Sequence, residues 1–469
     1  MTRRVAATTA AVLLLLVSTS CSRRRTPPPV TKAEVEIATR SPEAWLSQEP
    51  VRLLRDYVRI DTSLEHGEEK GTEFLRRFFE CEGIKTEVIC PRPTRCNVFA
   101  RLPGRQREGA LLLLNHVDVA PAFPRLWKEA PPFEGRIKAG YLYGRGVYDM
   151  KSIAIAQALA MRNLKRRGIV PASDVLFLGE ADEEVGQQFG SRWLLEHRPD
   201  LFSGVGQVVN EGGVVELVLR DPRFWGIETV QAGYAAAELE APASQPLIAL
   251  ADRWRKLHSP IVEPDPQVVE GFNLLANHLV SPLTDPLRHL DRVRRDPAEL
   301  AILPDRYGSF LEARAFWSSP FPARADPANP FRIVLVVSTP PGMPPERYFD
   351  PILADARSHG ITPIESFSGG TTTAASPYPT PFTEIIRRVT ESHFPGLPFG
   401  PLPTSGSFST SMLFRRRGFP TYGFTPFPMN ITDASRRHRN DERVYLPDFL
   451  VGVPLFGEVL EEFALAPRR

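Results

Sequence analysis

Short apolar runs that end in polar residues are the main pattern of this chain. Ala110–Leu114 is continuously apolar and leads into Asn-His-Val-Asp, and Asp174–Leu178 leads into acidic residues at 180–184. Gly204–Asn210 is followed by Glu211 and then by glycines. Runs of this length are typical of strands that are buried on both faces. Since open α/β sheets bind ligands beyond the carboxyl ends of their strands, the pattern predicts a ligand site at these ends.

Helical periodicity surrounds these strands. Val51–Ile60 and Gly71–Cys81 show helical spacing of apolar residues, which predicts helices before the first strand. Lys151–Arg162 is rich in Ala, Ile, Leu and Met and predicts a buried helix, and a later helix is predicted at Phe382–Phe394. A Gly-rich turn places Asp149 where a loop enters the buried helix.

The pattern changes near Ile227. From there to about residue 367 the apolar runs no longer end in clustered polar residues, and the segment predicts a mixture of strands and helices. The predicted elements are a strand at Ala235–Glu240, a helix at Pro246–Leu257, a strand at Arg332–Ser338 and a helix at Pro345–Ser358. A chain of 469 residues is long enough for more than one domain.

The N-terminus has the pattern of an export signal. Residues 1–21 combine a basic start, an apolar core too short to span a bilayer and small residues before Cys21. Ser18–Cys21 resembles a bacterial lipobox, with Ser in place of the usual Leu. Lipidation of Cys21 would anchor an exported protein at the cell envelope, periplasmic or on the outer surface, and a plain secretory signal is the alternative. Residues 22–40 are basic and Pro-rich, which predicts a flexible tether.

Composition gives no electrostatic argument for nucleic-acid binding. The net charge is +2, and the hydrophobic and charged fractions, 42% and 24%, are ordinary for a globular protein. The Arg-rich stretches at 415–417 and 436–437 are interpreted as solvated surface. Cys90 and Cys96 have the spacing of a disulfide that closes a hairpin-sized loop, and buried or free thiols are the equally open alternative.

The polar residues at the predicted strand ends suit a metal site. If the first strand continues, His116 and Asp118 share one side, and Asp118 can hold the second ring nitrogen of a metal-bound His116. The carboxylates at 180–184 crowd one loop, which calls for a cation. Of the adjacent Glu183 and Glu184, one can bind metal while the other remains free as a general base.

These segments resemble the dizinc metallopeptidase family that contains aminoacylases, glutamate carboxypeptidases, dipeptidases and succinyl-diaminopimelate desuccinylases. The similar stretches, from about Trp45 to the C-terminus, are HVDVAP, LW, PPFEG, GYLYGRGVYDMKS, ADEEVG, FGSRWLLE, VVNEGG and RRHRNDERV. The nearest resemblance is to the carboxypeptidase S-like or N-acyl-amino-acid hydrolase branch. A single Asp or His in a loop is usually a cap or a solvated group, whereas agreement of several segments in type and order indicates a shared site.

The resemblance implies an α/β fold. We expect a zinc-peptidase-like catalytic domain with a mixed central sheet flanked by helices, interrupted by an inserted α+β lid or dimerisation domain. The catalytic domain would comprise residues 41–227 and 368–469, and the lid residues 228–367. A homodimer through the lid is compatible with this arrangement.

The resemblance also implies two zinc ions, with cobalt or manganese as alternatives because availability often decides. Asp149 would bridge the two ions. The remaining ligands would be His116 and Glu211 on one ion, and Glu184 and His438 on the other. Glu183 would be the general base, with Asp118 as a further catalytic residue. The implied reaction is hydrolysis of an amide bond in a small peptide or an N-acyl amino acid by metal-activated water.

The substrate side departs from the family pattern. Residues 240–246 lack the lid His that stabilises the oxyanion, Val336–Ser338 replace a carboxylate-binding Asn-x-Arg segment, and Ser407–Met412 replace a Gly-Thr-Asp-x-Arg loop. We therefore expect little reliance on a free substrate carboxylate. The alternatives are a catalytically silent metal-containing binding protein and an esterase or lactam hydrolase with the same chemistry. Retention of Glu183 beside the ligands argues against the silent protein.

Overall fold

The computed structural model describes residues 32–213, 215–218, 221–278, 283–317, 329–371, 375–429 and 431–466. The predicted export signal, including Cys21, and the first part of the tether lie outside these ranges. Export and lipidation therefore stay predictions. Within the described ranges, every helix is too short or too polar to cross a bilayer.

The described elements begin with four helices, and runs of strands and helices follow along the chain. The strands are β1 Lys85–Arg92, β2 Arg95–Leu102, β3 Gln106–His116, β4 Arg136–Lys138, β5 Tyr141–Tyr143, β6 Ser173–Glu180, β7 Val205–Asn210, β8 Val215–Val218, β9 Asp221–Ile227, β10 Gly233–Ala241, β11 Arg314–Trp317, β12 Phe331–Thr339, β13 Thr362–Gly370, β14 Phe399–Pro401, β15 Thr421–Gly423 and β16 Arg443–Tyr445. The α-helices are α1 Lys32–Thr39, α2 Pro42–Leu46, α3 Glu49–Val58, α4 Glu69–Glu80, α5 Ser152–Arg166, α6 Ser191–His197, α7 Ser244–Arg253, α8 Pro266–Ala276, α9 Thr284–Arg288, α10 Leu290–Val293, α11 Pro297–Ile302, α12 Asp305–Gly308, α13 Glu346–Ser358, α14 Pro381–His393, α15 Ser411–Arg416, α16 Ile431–Ala434 and α17 Leu446–Leu465.

A six-stranded sheet in the order β1-β2-β6-β3-β7-β15 forms the centre of the molecule. β3 is parallel to β6 and β7, and β7 is parallel to β15, whereas β2 is antiparallel to both β1 and β6. This confirms the expected mixed sheet. β3 is longer than the predicted Ala110–Leu114 and extends through His116. Because β3, β6 and β7 are parallel, their carboxyl ends lie at the same edge of the sheet.

Helices cover both faces of this sheet. Leu111 and Leu113 of β3 join a core with α3, α5, α14 and α17, while Leu112 and Leu114 join a second core with α6 and α15. Successive side chains of a strand point to opposite faces, so both faces need apolar residues and the run is continuous. The helices predicted at 51–60, 71–81, 151–162 and 382–394 are confirmed as α3, α4, α5 and α14, with shifted ends.

The chain after Ile227 builds a separate four-stranded antiparallel sheet in the order β11-β12-β10-β13. Every second residue of β10 is buried, and these residues pack with α7 and α13 in a core of their own. Such alternation is typical of a sheet with one covered face. The predicted strands and helices of this segment are confirmed as β10, α7, β12 and α13. Its role as a lid stays a prediction, and β13 continues past the predicted boundary at residue 367.

Between residues 258 and 331 the sequence predicted neither strands nor helices. Prolines begin helices in this stretch. Pro266 and Pro297 occupy the first turns of α8 and α11. The side chains of Asp265 and Asp296 accept hydrogen bonds from main-chain amides of those turns. Proline is tolerated at this position because its missing N–H has no partner in the helix, and Asp is a favoured N-cap. Together α8 to α12 enclose a further apolar core.

A disulfide and a buried ion pair settle two points, one that the sequence left open and one that was predicted wrongly. A disulfide joins Cys90 of β1 to Cys96 of β2, so the alternative of free thiols is excluded for this pair. Arg415 is buried, with Nη1 3.0 Å from Glu228 Oε1. Its Nη2 also donates to the carbonyl of Thr421 at 2.8 Å. The interpretation of residues 415–417 as solvated surface is therefore wrong for Arg415, because a paired guanidinium can be buried.

Candidate metal centre

Three of the five candidate metal ligands, His116, Glu184 and Glu211, lie at or just beyond one edge of the central sheet, whereas Asp149 and His438 come from segments next to the small sheet β16-β5-β4. β3 ends at His116 and β6 at Glu180, and the two residues are paired across the parallel strands. The loop with Glu183 and Glu184 therefore starts beside His116. β7 ends directly before Glu211. Ligand atoms of His116, Glu183 and Glu211 all lie within 4.8 Å of one another.

His116 is buried, and both of its ring nitrogens have partners. Nδ1 donates to the main-chain carbonyl of Asp118 at 2.8 Å, and Nε2 lies 3.1 Å from Asp149 Oδ1. Because a carbonyl oxygen only accepts, Nδ1 carries a hydrogen and Nε2 is the atom available to a metal. Asp118 thus supports His116 mainly through its main chain, since its carboxylate Oδ1 is 3.5 Å from Nδ1.

The carboxylate of Asp118 anchors the acidic loop instead. Oδ1 accepts from the main-chain amide of Glu183 at 3.1 Å, and Oδ2 accepts from that of Glu184 at 3.0 Å. The loop turns sharply at Asp182, whose φ of 47° is in the left-handed region. These contacts fix the direction of both glutamates. A catalytic role for Asp118 stays a prediction, and the structure places it as a positioning residue.

Asp149 lies between the two candidate histidine ligands. Its Oδ1 is 3.1 Å from His116 Nε2, and its Oδ2 is 3.0 Å from His438 Nε2. Glu184 Oε2 lies 2.9 Å from the same His438 nitrogen. The main-chain amide of Asp149 donates to Glu442 Oε1 at 3.3 Å, which holds the turn before α5. One oxygen directed to each histidine is the arrangement expected of a bridging carboxylate.

Burial and neighbouring charges shift the pKa values in this cluster. Burial raises the pKa of Glu183 and of Glu211 well above the usual value, and nearby carboxylates add to both shifts. Burial also acts to raise the pKa of Asp149, but hydrogen bonds from the two histidines hold it well below its usual range. Partial desolvation opposes the charged form of His438, whose side chain is 48% exposed, yet the Glu184 carboxylate raises its pKa to about 11. The cluster therefore favours bound positive charge.

The donor set fits divalent metal ions. Glu183 Oε1 and Glu184 Oε1 are buried and have no hydrogen-bond partner among the residues that the structure describes. Such oxygens are costly in a protein interior unless a donor or cation meets them. Imidazole nitrogens and carboxylates are ligands that suit zinc and related metals. The residues that would hold the ions are His116, Asp149, Glu184, Glu211 and His438.

Sequence reasoning missed two groups beside this centre. Arg437 Nε lies 3.7 Å from Asp149 Oδ2 while its side chain is 42% exposed, so its position on the solvated surface is confirmed and its contact with the centre was missed. Its position next to a ligand histidine was the available signal. The pKa of Tyr234 of β10 is raised to about 12. Burial is the largest cause, and the charges of Glu183 and Glu184 add to the shift. No local signal marks Tyr234, because it comes from the other sheet.

Relatives of known identity share part of this chain. Residues 112–462 match the profile of the peptidase family M20/M25/M40. A probable succinyl-diaminopimelate desuccinylase of Staphylococcus epidermidis is 31% identical over 151 residues, which cover 32% of this chain and 36% of that protein. Aminoacylase-1 of Mus musculus is 32% identical over 180 residues, which cover 38% of this chain and 43% of that protein. The matched region thus spans less than half the length of either relative.

Solved structures share the fold over nearly the whole chain. The M20 family metallo-carboxypeptidase Sso-CP2 from Sulfolobus solfataricus superposes with a TM-score of 0.66 at 15% identity, covering 89% of this chain and 100% of that one. Human carnosine dipeptidase 1 superposes with a TM-score of 0.63 at 15% identity, covering 90% of this chain and 98% of that one. These similarities support the α/β fold with a mixed sheet between helices. Because the family profile spans well over half of the residues, the chain belongs to the peptidase family M20/M25/M40.

Proposed function

We propose that this protein hydrolyses amide bonds of peptide-like or N-acyl amino-acid substrates with two bound metal ions, zinc by default. The observation that carries the proposal is the position of Asp149, 3.1 Å from His116 Nε2 and 3.0 Å from His438 Nε2, beside the Glu183 carboxylate. Glu183 Oε1 is buried and has no partner among the described residues. A protein that only binds a ligand has no need of such a base.

Metal ions at these ligands would supply a water of lowered pKa and polarise the substrate carbonyl. Glu183 accepts the proton of the attacking water and passes it to the leaving nitrogen while the C–N bond breaks. Asp118 fixes the main chain of Glu183 at 3.1 Å, so the carboxylate stays directed into the centre. His116 is oriented by the carbonyl of Asp118 at 2.8 Å.

The substrate side supports recognition without a free carboxylate. Ser338 and Met412, at two positions where the family pattern has an Arg, are buried. Arg415 is paired with Glu228, 3.0 Å away, and is therefore already neutralised. Neutral substrates should accordingly be accepted about as well as acidic ones.

The relatives support the reaction class without selecting a substrate. They carry the names aminoacylase, probable desuccinylase and dipeptidase, and these names differ in the substrate. On sequence alone we further propose export with a lipid anchor at Cys21. A dimer through the four-stranded sheet remains compatible with the proposal.

Metal content tests the centre directly. Protein loaded with zinc and dialysed should retain about two ions per chain, and Asp149→Ala should lose both because each ion shares that ligand. Asp200→Ala, an Asp with a 63% exposed side chain, is the matched control and should retain them. Elemental analysis that gives one ion or none for the wild type rules out the dinuclear centre. A panel of N-acyl amino acids, dipeptides and their amides then tests the reaction.

A further inference from the structure

Three half-buried aromatic rings form a cluster beside the metal centre. The ring centroids of Phe367 and Phe408 are 4.9 Å apart in an edge-to-face arrangement. Tyr234 lies 6.4 Å from the Phe367 ring and 6.3 Å from the Phe408 ring. Each side chain remains partly accessible, so the cluster presents an apolar surface rather than a closed core. We call Tyr234, Phe367 and Phe408 the aromatic cluster.

The aromatic cluster is attached to the loop that carries the proposed base. A Cβ placed on Gly186 would lie 3.4 Å from the Phe367 ring, so this ring faces the loop just after Glu184 at a distance that a methyl group would fill. The segment of Phe408 is joined to the same loop through Thr410. The Thr410 hydroxyl donates to the Glu180 carboxylate and accepts from the Gln187 side chain. The rings therefore have a defined position relative to the catalytic loop.

Neighbouring groups restrict the two phenylalanine rings. Arg192 lies over the Phe367 ring, 5.6 Å from its centroid, and its Nη2 donates to the Ser368 carbonyl at 3.2 Å. Phe408 lies against the main chain of Gly369 so closely that a Cβ there would overlap the ring. Rings held in this way are ordered before a ligand arrives, which lowers the entropy cost of binding.

Tyr234 connects the apolar surface to the charged centre. Its ring packs with the two phenylalanines, while the charges of Glu183 and Glu184 act on its phenol. Burial raises the pKa of Tyr234 to about 12, so the hydroxyl stays protonated at neutral pH. A group bound against this ring therefore meets the apolar carbon of the two phenylalanine rings.

We propose that the aromatic cluster is a substrate subsite that binds a bulky apolar or aromatic group next to the scissile amide. The inference rests on the proposed amide hydrolysis, because it assigns the cluster to the substrate of that reaction. Covering exposed aromatic carbon with an apolar group is favourable because it removes apolar surface from water. Aromatic pairs also favour edge-to-face contacts. Apolar recognition also fits the sequence positions at which Ser338 and Met412 stand in place of the arginines of the family pattern.

The first test compares matched substrates in wild type and variants. One pair is N-acetyl- and N-phenylacetyl-alaninamide, and the other is N-acetyl-glycinamide and N-acetyl-phenylalaninamide, so each side of the amide is probed. In the metal-loaded wild type, kcat/KM should favour the aromatic member of at least one pair by about tenfold or more. Phe367→Ala and Phe408→Ala should remove most of that preference, chiefly by raising KM. Equal rates within both pairs, or a preference that survives both substitutions, overturn the subsite.

Phe78→Ala is the matched control for these variants. Phe78 is also half-buried beneath an arginine, with Arg162 5.5 Å from its ring centroid, but it lies on α4, which supplies no candidate ligand. Its substitution should leave the preference between substrates unchanged. If Phe78→Ala reduced the preference as much as Phe367→Ala does, the effect would be a general loss of packing and the subsite would be rejected.

A binding experiment separates the subsite from the reaction. Acetohydroxamate and phenylacetohydroxamate are titrated by calorimetry into zinc-loaded Glu183→Gln protein. The measurement reports binding alone, so the variant need not be catalytically active. Tighter binding of the phenyl compound by about tenfold, lost in the double variant with Phe367→Ala, supports the subsite even if no amide is hydrolysed by the wild type. Hydrolysis of amides together with equal binding of both hydroxamates overturns the subsite and leaves the proposed function standing.

Discussion

The central sheet and the four-stranded sheet bury different kinds of side chain. At the ends of β3, β6 and β7 the chain buries ionisable groups, and the candidate metal groups found among the described residues all come from this side. In β10 the alternate buried positions are Gly233, Ala235, Ala237, Leu239 and Ala241, and the neighbouring strands add aliphatic residues. The first sheet thus carries the chemistry, while the second has an ordinary apolar core.

Strand direction explains this difference. Parallel strands bring all their carboxyl ends to one edge, so residues far apart in the chain, such as His116 and Glu211, converge there. In the antiparallel sheet successive strand ends alternate between edges, and no such convergence arises. The second sheet contributes Tyr234, which reaches the centre from the first residues of its strand.

The largest expected effect separates the adjacent glutamates of the catalytic loop. Glu183→Gln should keep both metals but lose about a thousandfold or more in kcat, because Gln cannot accept a proton. Glu184→Gln should lose metal as well, since Glu184 Oε2 lies in the ligand cluster 2.9 Å from His438 Nε2. Steady-state kinetics and elemental analysis on the same preparations are the measurements. Equal metal loss in the two variants would contradict the assigned roles.

A stability effect should follow from the apolar core of the second sheet. Leu335 of β12 is fully buried, so Leu335→Ala should lower the free energy of unfolding by about 2–5 kcal/mol through lost burial and a cavity. The loaded protein should nevertheless retain its metals. Val334→Ala, at a residue that is 39% exposed on the same strand, is the control and should change stability by about 0.5 kcal/mol or less. Urea unfolding of metal-free protein measures both.

A buried carboxylate near the first sheet should make stability depend on pH. Burial raises the pKa of Glu68 to about 7, with the charge of Asp118 adding to the shift and Arg95 opposing it. The folded state therefore binds more protons than the unfolded state between the unfolded pKa and pH 7, and the stability contribution is lost as pH rises through this window. The total change in the free energy of unfolding that this titration causes is at most about 3 kcal/mol.

Glu68→Gln removes this titration. The free energy of unfolding of this variant should fall less between pH 5 and pH 8 than that of the wild type. The lost contact with Arg95, 2.7 Å away, changes the stability of the variant at every pH but not this difference in slope. Glu365→Gln, at an exposed position of β13, is the control in the second sheet. Identical pH slopes for wild type and Glu68→Gln would show that Glu68 is not responsible.

The smallest expected effect concerns the substrate carboxylate. For N-acetyl-phenylalanine and its amide, the ratio of kcat/KM should stay within about tenfold, since an Arg–carboxylate contact is typically worth on the order of a hundredfold. A free-acid preference of a hundredfold would reveal a cation that takes over this contact. Arg437, 3.7 Å from Asp149, is the first residue to substitute in that case, with Arg437→Gln expected to abolish the preference.

Much of the metal centre follows from local sequence. The apolar run before His116, the Gly-rich turn before Asp149 and the paired Glu183 and Glu184 each predict a strand or helix end with a ligand type. The structure brings these groups together. The support of His116 was predicted less well, because a main-chain carbonyl leaves no trace in residue identity. The burial of Arg415 was missed for a similar reason, since its partner Glu228 is distant in sequence.

The sequence by itself determined the central strands and the chemical type of the site, because apolar runs and the polar residues at their ends are local properties, and the resemblance of several segments to a known family added the fold class. Tertiary structure alone decided which groups surround that site. Tyr234, Phe367 and Phe408 meet only because β10 pairs with β13 and because Thr410 connects a late loop to Glu180 and Gln187. Contacts between residues so far apart depend on packing and strand register, which residue spacing does not encode.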